Sequence, residues 1–481
     1  MNYIYTFMNY KIFNNKIFIY IFFTILSFLT RYYLFEGRES WHDEWHTIYV
    51  ADPNLSTAET LARYYGDKGG SFLAEFYPHI YIFILKYFFG IFGYIDVNGR
   101  WLSLIMGTLS VPLTIYLLNI FLDIKKTFFL GLVITFNLFL IWQSLEIRAH
   151  SILVFISIIN IILFYKLLNN KNYFNIIIYG IVSIFLLSLW PISGAIFFGK
   201  TIYIIKKLII DKVFEKKIFL LFTFILFAYI ILNVDYLKLN LARDFHYTSL
   251  YSSFFYNYHF RTFFGSPILG GFYLIIFSLL LIINFKKIVF LNEKENLIIY
   301  IILSSYLLTL AYTLLRASIM SPKYVIFILP LIIIWICIEL EKFDKNKIIK
   351  IFLGFLTILF CVLEINNSPI KRPPTNEALE IVKNDNSKYI TTIESDVFNN
   401  YISTKKNFVE ENFVLLDKNV KYPEYIKSFW FICLKNERFF VGEKGNLNFE
   451  KKCNNFNTNN DNFAEIKEIR INDFILKKFE N

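Results

Sequence analysis

Residues 17–46 read IFIYIFFTILSFLTRYYLFEGRESWHDEWH. The apolar run here belongs to a segment, 12–35, long enough to cross the roughly 30 Å hydrocarbon core of a bilayer. A few residues later come Trp41-His42-Asp43-Glu44-Trp45-His46, two adjacent carboxylates framed by two imidazoles and two indoles. Ionisable groups at a membrane boundary are costly to dehydrate, so a cluster of them marks a candidate functional site. The run carries no small-residue cleavage signal and reads as a retained helix.

Working outward, the 481 residues are 56% hydrophobic, 20% aromatic and only 18% charged, and apolar runs of membrane-spanning length recur along the chain. This composition points to a polytopic α-helical membrane protein and excludes an ordinary soluble one. The net charge of +11 comes from lysines clustered between apolar runs, which is the positive-inside pattern, so no nucleic-acid partner is expected. The excess of Ile, Phe, Asn, Lys and Tyr fits an AT-rich genome and says nothing of function. Cys337 and Cys361 fall in apolar runs as small core residues. Cys433 and Cys453 lie in the polar tail and could pair if that tail faces an oxidising compartment, although spacing alone leaves this open.

Charge and length then set an expected topology. Residues 36–99 form a long external segment, within which 78–92 is too short to span and reads as an interfacial helix. With that reading, 100–122 crosses inward and delivers Lys125 and Lys126 to the cytoplasmic side, as the charge rule requires. Further spans are expected at 128–144, 150–168, 173–190, 192–205, 218–234, 267–285, 297–315, 324–340 and 348–363, about eleven in all. A second external loop covers 235–266. The expected division is a membrane domain, 1–365, and an external C-terminal α/β domain, 366–481, opened by Lys371-Arg372-Pro373-Pro374. Short apolar runs at 389–393, 413–415, 429–433 and 474–476 read as its strands.

This topology gathers the chemistry on the external face. Asp43 and Glu44 suit a general base, a metal ligand or a helix cap. Glu146-Ile147-Arg148 occupies a very short loop between two spans. There Arg148 could grip phosphate oxygens through its planar fork, or simply pair with Glu146. Tyr77-Pro78-His79 opens the interfacial helix, with His79 facing an anion or serving structure. Arg100 could bind substrate or snorkel at a span boundary. The loop 256–261 interleaves aromatics with His259 and Arg261, a mixture that suits carbohydrate, a phosphorylated lipid or any interface. Lys323, beside Tyr324, could meet a lipid phosphate.

Taken in order, these motifs resemble the multi-spanning glycosyltransferases of the GT-C type that use a polyprenyl-phosphate sugar donor. That superfamily includes the protein O-mannosyltransferases and the bacterial aminoarabinose and galacturonic acid transferases acting on lipid A. Its Trp-x-Asp-Glu motif is matched by Trp41-His42-Asp43-Glu44, and its His-Pro-Pro-Leu-Tyr-Tyr-like segment by Tyr77-Pro78-His79-Ile80-Tyr81. The Arg-x-x-Ser helix start is matched by Arg100-Trp101-Leu102-Ser103. The Ser-x-Glu-x-Arg-x-Tyr segment corresponds to Ser144 through His150, and the late Arg-Tyr element with its Pro to Lys323-Tyr324 and Pro330. The resemblance covers about residues 15–335. It departs in having one Pro for two, His150 for Tyr and Lys323 for Arg.

The resemblance implies an inverting transfer in which an acceptor hydroxyl attacks the anomeric carbon of a polyprenyl-phosphate-linked sugar. Asp43 would be the general base, with Glu44 assisting or orienting. Charge on the leaving phosphate would be neutralised by Arg148, His79, Lys323 and Arg261, which together with Arg100 and Glu146 make up the donor-phosphate- or substrate-binding residues. No cofactor is required and no metal ligands are assigned, although a carboxylate-rich site leaves room for a divalent cation, as in related oligosaccharyltransferases. The implied partners are membrane lipids, the lipid-linked sugar and a glycolipid, cell-wall glycan or protein acceptor. The implied location is a bacterial inner membrane, with the active site and C-terminal domain outside. The competing class, a lipid-linked glycan flippase or polymerase, would place functional charges within its spans.

Overall fold

A computed structural model describes residues 15–35, 38–66, 78–213, 215–242, 254–291, 293–316, 319–342, 347–367, 372–385, 387–392, 396–417, 420–434, 453–454, 456, 462–471 and 474–481. The chain divides into two compact units. The first comprises Met1–Tyr33, Ala74–Tyr81 and Ser103–Ser368; the second comprises Leu34–Leu73, Ile82–Leu102 and Pro369–Asn481. Segments that the sequence presents as separate, most of the first external stretch and the tail, therefore fold within one unit.

The first unit is helical. Its opening helix, Lys16–Tyr32, starts where the Asn15 side chain accepts hydrogen bonds from the backbone N–H groups of Ile17 and Phe18, a standard N-cap. Ile19, Phe23, Ser27 and Arg31 recur every four residues and form its buried stripe. Ile17, Ile21, Ile25 and Leu29 form an exposed apolar stripe, the surface a lipid-facing helix presents. Three described helices are long and apolar enough to cross a membrane: Asp96–Leu118, His150–Asn169 and Asn296–Leu315. Counting two bent pairs as spans makes five: Lys216–Leu232 with Val234–Asn240, bent by 75°, and Phe255–Phe264 with Pro267–Ile283, bent by 104°. The chain is thus a polytopic helical membrane protein; against about eleven expected spans, three to five stretches among the described residues are by themselves long and apolar enough to cross.

The shortfall has local causes. The run 128–144 is not one helix: it breaks into Phe128–Thr135 and Leu138–Gln143. At the break Asn137 caps the second piece by accepting from Leu140 N–H at 2.9 Å, while its amide donates to the Phe263 carbonyl at 2.9 Å. Tyr173–Leu189 has 17 residues and turns at Trp190-Pro191 into Gly194–Asp211, as the sequence suggests. Ile328–Glu341 has 14 residues and is buried from Ile328 to Leu340. Helices Gly194–Asp211 and Asn296–Leu315 approach closely because residue 199 is Gly. A Cβ there would lie 2.6 Å from the Ile301 backbone, so a small residue is required at this crossing. The loop 235–266 is helical at both described ends, Val234–Ala242 and Phe255–Phe264, the latter beginning as a π-helix.

Among its described residues the second unit holds a sheet whose strands lie side by side in the order Val414–Leu416, Tyr389–Thr392, Ser428–Leu434, Phe474–Glu480, Ala464–Ile471. The strands are β1 Tyr389–Thr392, β2 Val414–Leu416, β3 Ser428–Leu434, β4 Ala464–Ile471 and β5 Phe474–Glu480. β1 runs parallel to β2 and β3, and β5 antiparallel to β3 and β4. The run Phe429-Trp430-Phe431-Ile432-Cys433-Leu434 is wholly buried, as expected of a central strand covered on both faces. β4 lacks a long apolar run and was not expected from the sequence; it forms an exposed edge with a bulge between Glu465 and Lys467. Cys433 is disulfide-bonded to Cys453, which resolves the open question of their pairing. Short helices complete the unit. His42–Val50 packs against Asp396–Ser403, with Trp45 stacked on Tyr401 at 5.1 Å and tilted on Phe398 at 5.0 Å. The expected interfacial helix is Ile80–Phe92, 13 residues long.

Candidate functional site

The candidate residues are divided between the two units. In the second unit Trp41 ends an extended stretch and the helix His42–Val50 begins, so Asp43 and Glu44 stand in its first turn. Acidic side chains there are favoured by the helix dipole. The two differ sharply in surroundings. Glu44 is 1% exposed, accepts the Trp41 N–H at 2.8 Å and forms an ion pair with Arg372. It thus fulfils the cap reading. Asp43 is half-buried, and the rings of His42 and His46 on either side of it meet edge to face at 4.7 Å.

The residues preceding this turn are fixed from the tail of the chain. The Glu39 carboxylate accepts hydrogen bonds from Asn376 N–H at 2.7 Å, Lys405 Nζ at 2.7 Å and Tyr401 Oη at 3.1 Å. Lys405 also reaches Asp96 at 3.0 Å. Burial works against the Lys405 ammonium, yet Asp96, Tyr401 and Glu39 outweigh it and hold its pKa above the ordinary lysine value. Arg100 is committed to the same stretch, donating to the Arg38 carbonyl at 2.7 Å and to Ser40 Oγ at 3.0 Å. These contacts give Arg100 a structural task.

In the first unit Ser144 through His150 forms the tight connection between Leu138–Gln143 and His150–Asn169. Leu145, Ile147 and Ala149 are fully buried, and Arg148 and His150 are nearly so. A buried connection of this kind has to supply partners for its polar groups. The Glu146 carboxylate lies 4.0 Å from His150 Nδ1, and Arg148 N–H donates to the Glu146 carbonyl at 2.8 Å. The His150 ring meets the edge of Trp190 at 5.5 Å. Trp190 Nε1–H in turn donates to the Tyr324 carbonyl at 2.9 Å. Lys323 lies over the Tyr324 ring at 5.3 Å, a cation–π contact. Trp190 therefore links the Glu146–His150 segment to the Lys323–Tyr324 turn, which the sequence separates by more than 170 residues.

The remaining candidates are less integrated. Tyr258 Oη lies 3.3 Å from Ser321 Oγ, tying the aromatic–basic segment of Arg261 to the stretch that leads into Lys323; Arg261 itself is exposed. His79 is half-buried, and burial lowers its pKa against the opposing pull of Asp235, which biases it toward the neutral form. Tyr77 lies outside the described residues. Among the described residues no group of three or more His, Cys, Asp or Glu side chains could hold a metal ion.

Sequence reasoning passed over Arg31, Glu39, Arg372 and Lys405. Arg31 is fully buried and donates to Ser144 Oγ at 3.0 Å and Ser27 Oγ at 2.6 Å. Its one available signal was its place on the Ile19–Phe23–Ser27 stripe of an apolar helix. The other three act across more than 300 residues of sequence, where no local pattern announces them.

No protein-family description matches the sequence, and no curated protein does. A comparison of structures finds a crystal structure of ArnT from Cupriavidus metallidurans bound to undecaprenyl phosphate. The match covers 95% of this chain and 97% of that one, with a TM-score of 0.53 and 8% sequence identity. What the two share is the fold. Similarity runs through nearly the full length of both chains.

Proposed function

We propose that this protein is a membrane glycosyltransferase that moves a sugar from a polyprenyl-phosphate-linked donor to an acceptor hydroxyl on the external membrane face. The observation that carries the reading is the likeness in fold, over 95% of the chain, to ArnT in a structure bound to undecaprenyl phosphate. The Trp-x-Asp-Glu turn and the buried basic–aromatic cluster add chemistry in keeping with it. Asp43 acts as general base on the acceptor hydroxyl. Glu44, engaged by Trp41 and Arg372, orients the turn. The leaving phosphate is already a weak base and needs charge neutralisation, for which Arg148 and Lys323 are the first choices, with Arg261 and His79 behind them. Direct attack by the hydroxyl inverts the anomeric centre and needs no covalent enzyme intermediate.

The Cys433–Cys453 disulfide supports an external, oxidising location for the C-terminal sheet. A bacterial inner membrane with that sheet facing outward is the proposed setting, and a glycolipid, a cell-wall glycan or a protein is the proposed acceptor. A flippase or polymerase would be expected to line a path with its intramembrane charge. Lys200, in the middle of Gly194–Asp211, is instead fully buried against Asn160 and Tyr179 and faces the rings of Phe164 and Phe197. Mass analysis of glycans and glycolipids from cells with and without the protein tests the reading. Loss of one sugar substituent is expected, and an unchanged envelope with intact lipid-linked sugar pools contradicts it.

A further inference from the structure

Lys371-Arg372-Pro373-Pro374 reads in the sequence as a linker, and Arg372 does something a linker need not do. Its guanidinium is 6% exposed and pairs with the Glu44 carboxylate, which is 1% exposed. The same Nη1 donates to the Glu39 carbonyl at 2.9 Å. Glu44 Oε2 is shared between this guanidinium and the Trp41 N–H. The Trp41 carbonyl accepts from the N–H groups of Glu44 at 2.8 Å and Trp45 at 3.1 Å. One side chain from the tail therefore bolts down the entry strand at Glu39, the cap at Trp41 and the third helical residue, Glu44, and Asp43 lies between the last two.

We infer that Arg372 is a positioning residue for the proposed sugar transfer, acting through Glu44 to fix the turn that presents Asp43. The inference rests on the reading under Proposed function. A general base has to be held within hydrogen-bond reach of the proton it takes, and small misplacements of such a group cost rate steeply. The pair suits that task because one desolvated nitrogen, Nη1, meets both the Glu44 carboxylate and the Glu39 carbonyl from a planar, delocalised group, and a lysine in its place supplies only a point charge. The two prolines that follow restrict the backbone just after the guanidinium, so the anchor is itself braced.

The test compares Arg372→Gln, Arg372→Lys, Glu44→Gln and the Arg372→Gln/Glu44→Gln double variant of the full-length protein, in two measurements. Hydrogen–deuterium exchange over residues 41–45 reads the turn without reference to activity. Turnover of a polyprenyl-phosphate sugar reads its consequence. Arg372→Gln is expected to speed exchange at 41–45 and to lower kcat by at least about ten-fold with little change in the donor KM. Arg372→Lys should recover part of both. Arg372→Gln should add nothing further to kcat in the Glu44→Gln background, because the effect passes through Glu44. Unchanged exchange in Arg372→Gln, or additive losses in the double variant, overturns the inference. Faster exchange in a protein whose wild type turns over no donor overturns the sugar-transfer reading and leaves Arg372 as the anchor of the turn.

Discussion

Charge is taken out of water at several places in this molecule, and the two that involve the candidate residues are held in different ways. Around Trp41–His46 the buried groups are matched ion pairs: Glu44 with Arg372, and Lys405 with Glu39 and Asp96. Around Glu146–His150 aromatic rings carry much of the contact, with His150 against Trp190 and Lys323 over Tyr324. Matched ion pairs fix direction and leave little room to move, which suits a turn proposed to aim one carboxylate. A rim of aromatics and cations tolerates variation in what it binds, which suits charge neutralisation of a diffuse phosphate. The comparison explains why the acid pair at 43–44 is divided, one member serving structure and the other proposed for chemistry.

That comparison can be broken. Asp43→Asn should reduce turnover by about 10²–10⁴-fold while membrane insertion and thermal stability persist, the span expected for loss of a general base. A drop in stability equal to the drop in rate would make Asp43 structural, like its neighbour. Arg148→Gln should cost about 10²-fold in kcat, the scale of losing one donor to a developing oxyanion. Lys323→Gln should cost less, since that cation is only half-buried. Equal effects of the two would mean that burial does not rank the cations. Lys405→Met should leave Asp96 with only Arg100 at 4.0 Å and part-buried Glu39 with only the neutral donors Asn376 N–H and Tyr401 Oη, destabilising the second unit by about 3–5 kcal/mol, measured as a fall in its thermal midpoint. Reducing the Cys433–Cys453 link, which closes a loop with a sequence separation of 20, should cost that unit about 3 kcal/mol in the chain-entropy account and leave the first unit's midpoint unmoved.

Much of this was legible in advance, for physical reasons. The polytopic helical class follows from apolar runs that water would not tolerate. Four of the five strands announce themselves as short β-branched or aromatic runs, whereas β4, Ala464–Ile471, is an exposed edge whose Glu and Lys side chains carry no apolar signal. The run 128–144 reads as one continuous helix because hydropathy is blind to a break such as Asn137, which replaces helical hydrogen bonds with its own side chain. Among the candidate residues, Asp43, Glu44 and Arg148 stand out by residue type and place. The role of Glu44 did not, because its partner lies 328 positions away. The tie between Glu146–His150 and Lys323–Tyr324 was equally hidden, since it passes through Trp190, an aromatic that sequence treats as a corner.

The central claim is donor turnover, and purified protein in vesicles containing a polyprenyl-phosphate sugar tests it most directly. The measurement follows release of free polyprenyl phosphate with and without an acceptor hydroxyl, alongside the leaflet in which the donor resides. The account predicts acceptor-dependent release by the wild-type protein and almost none by Asp43→Asn. Movement of intact donor between leaflets with no release, in both proteins alike, would contradict it.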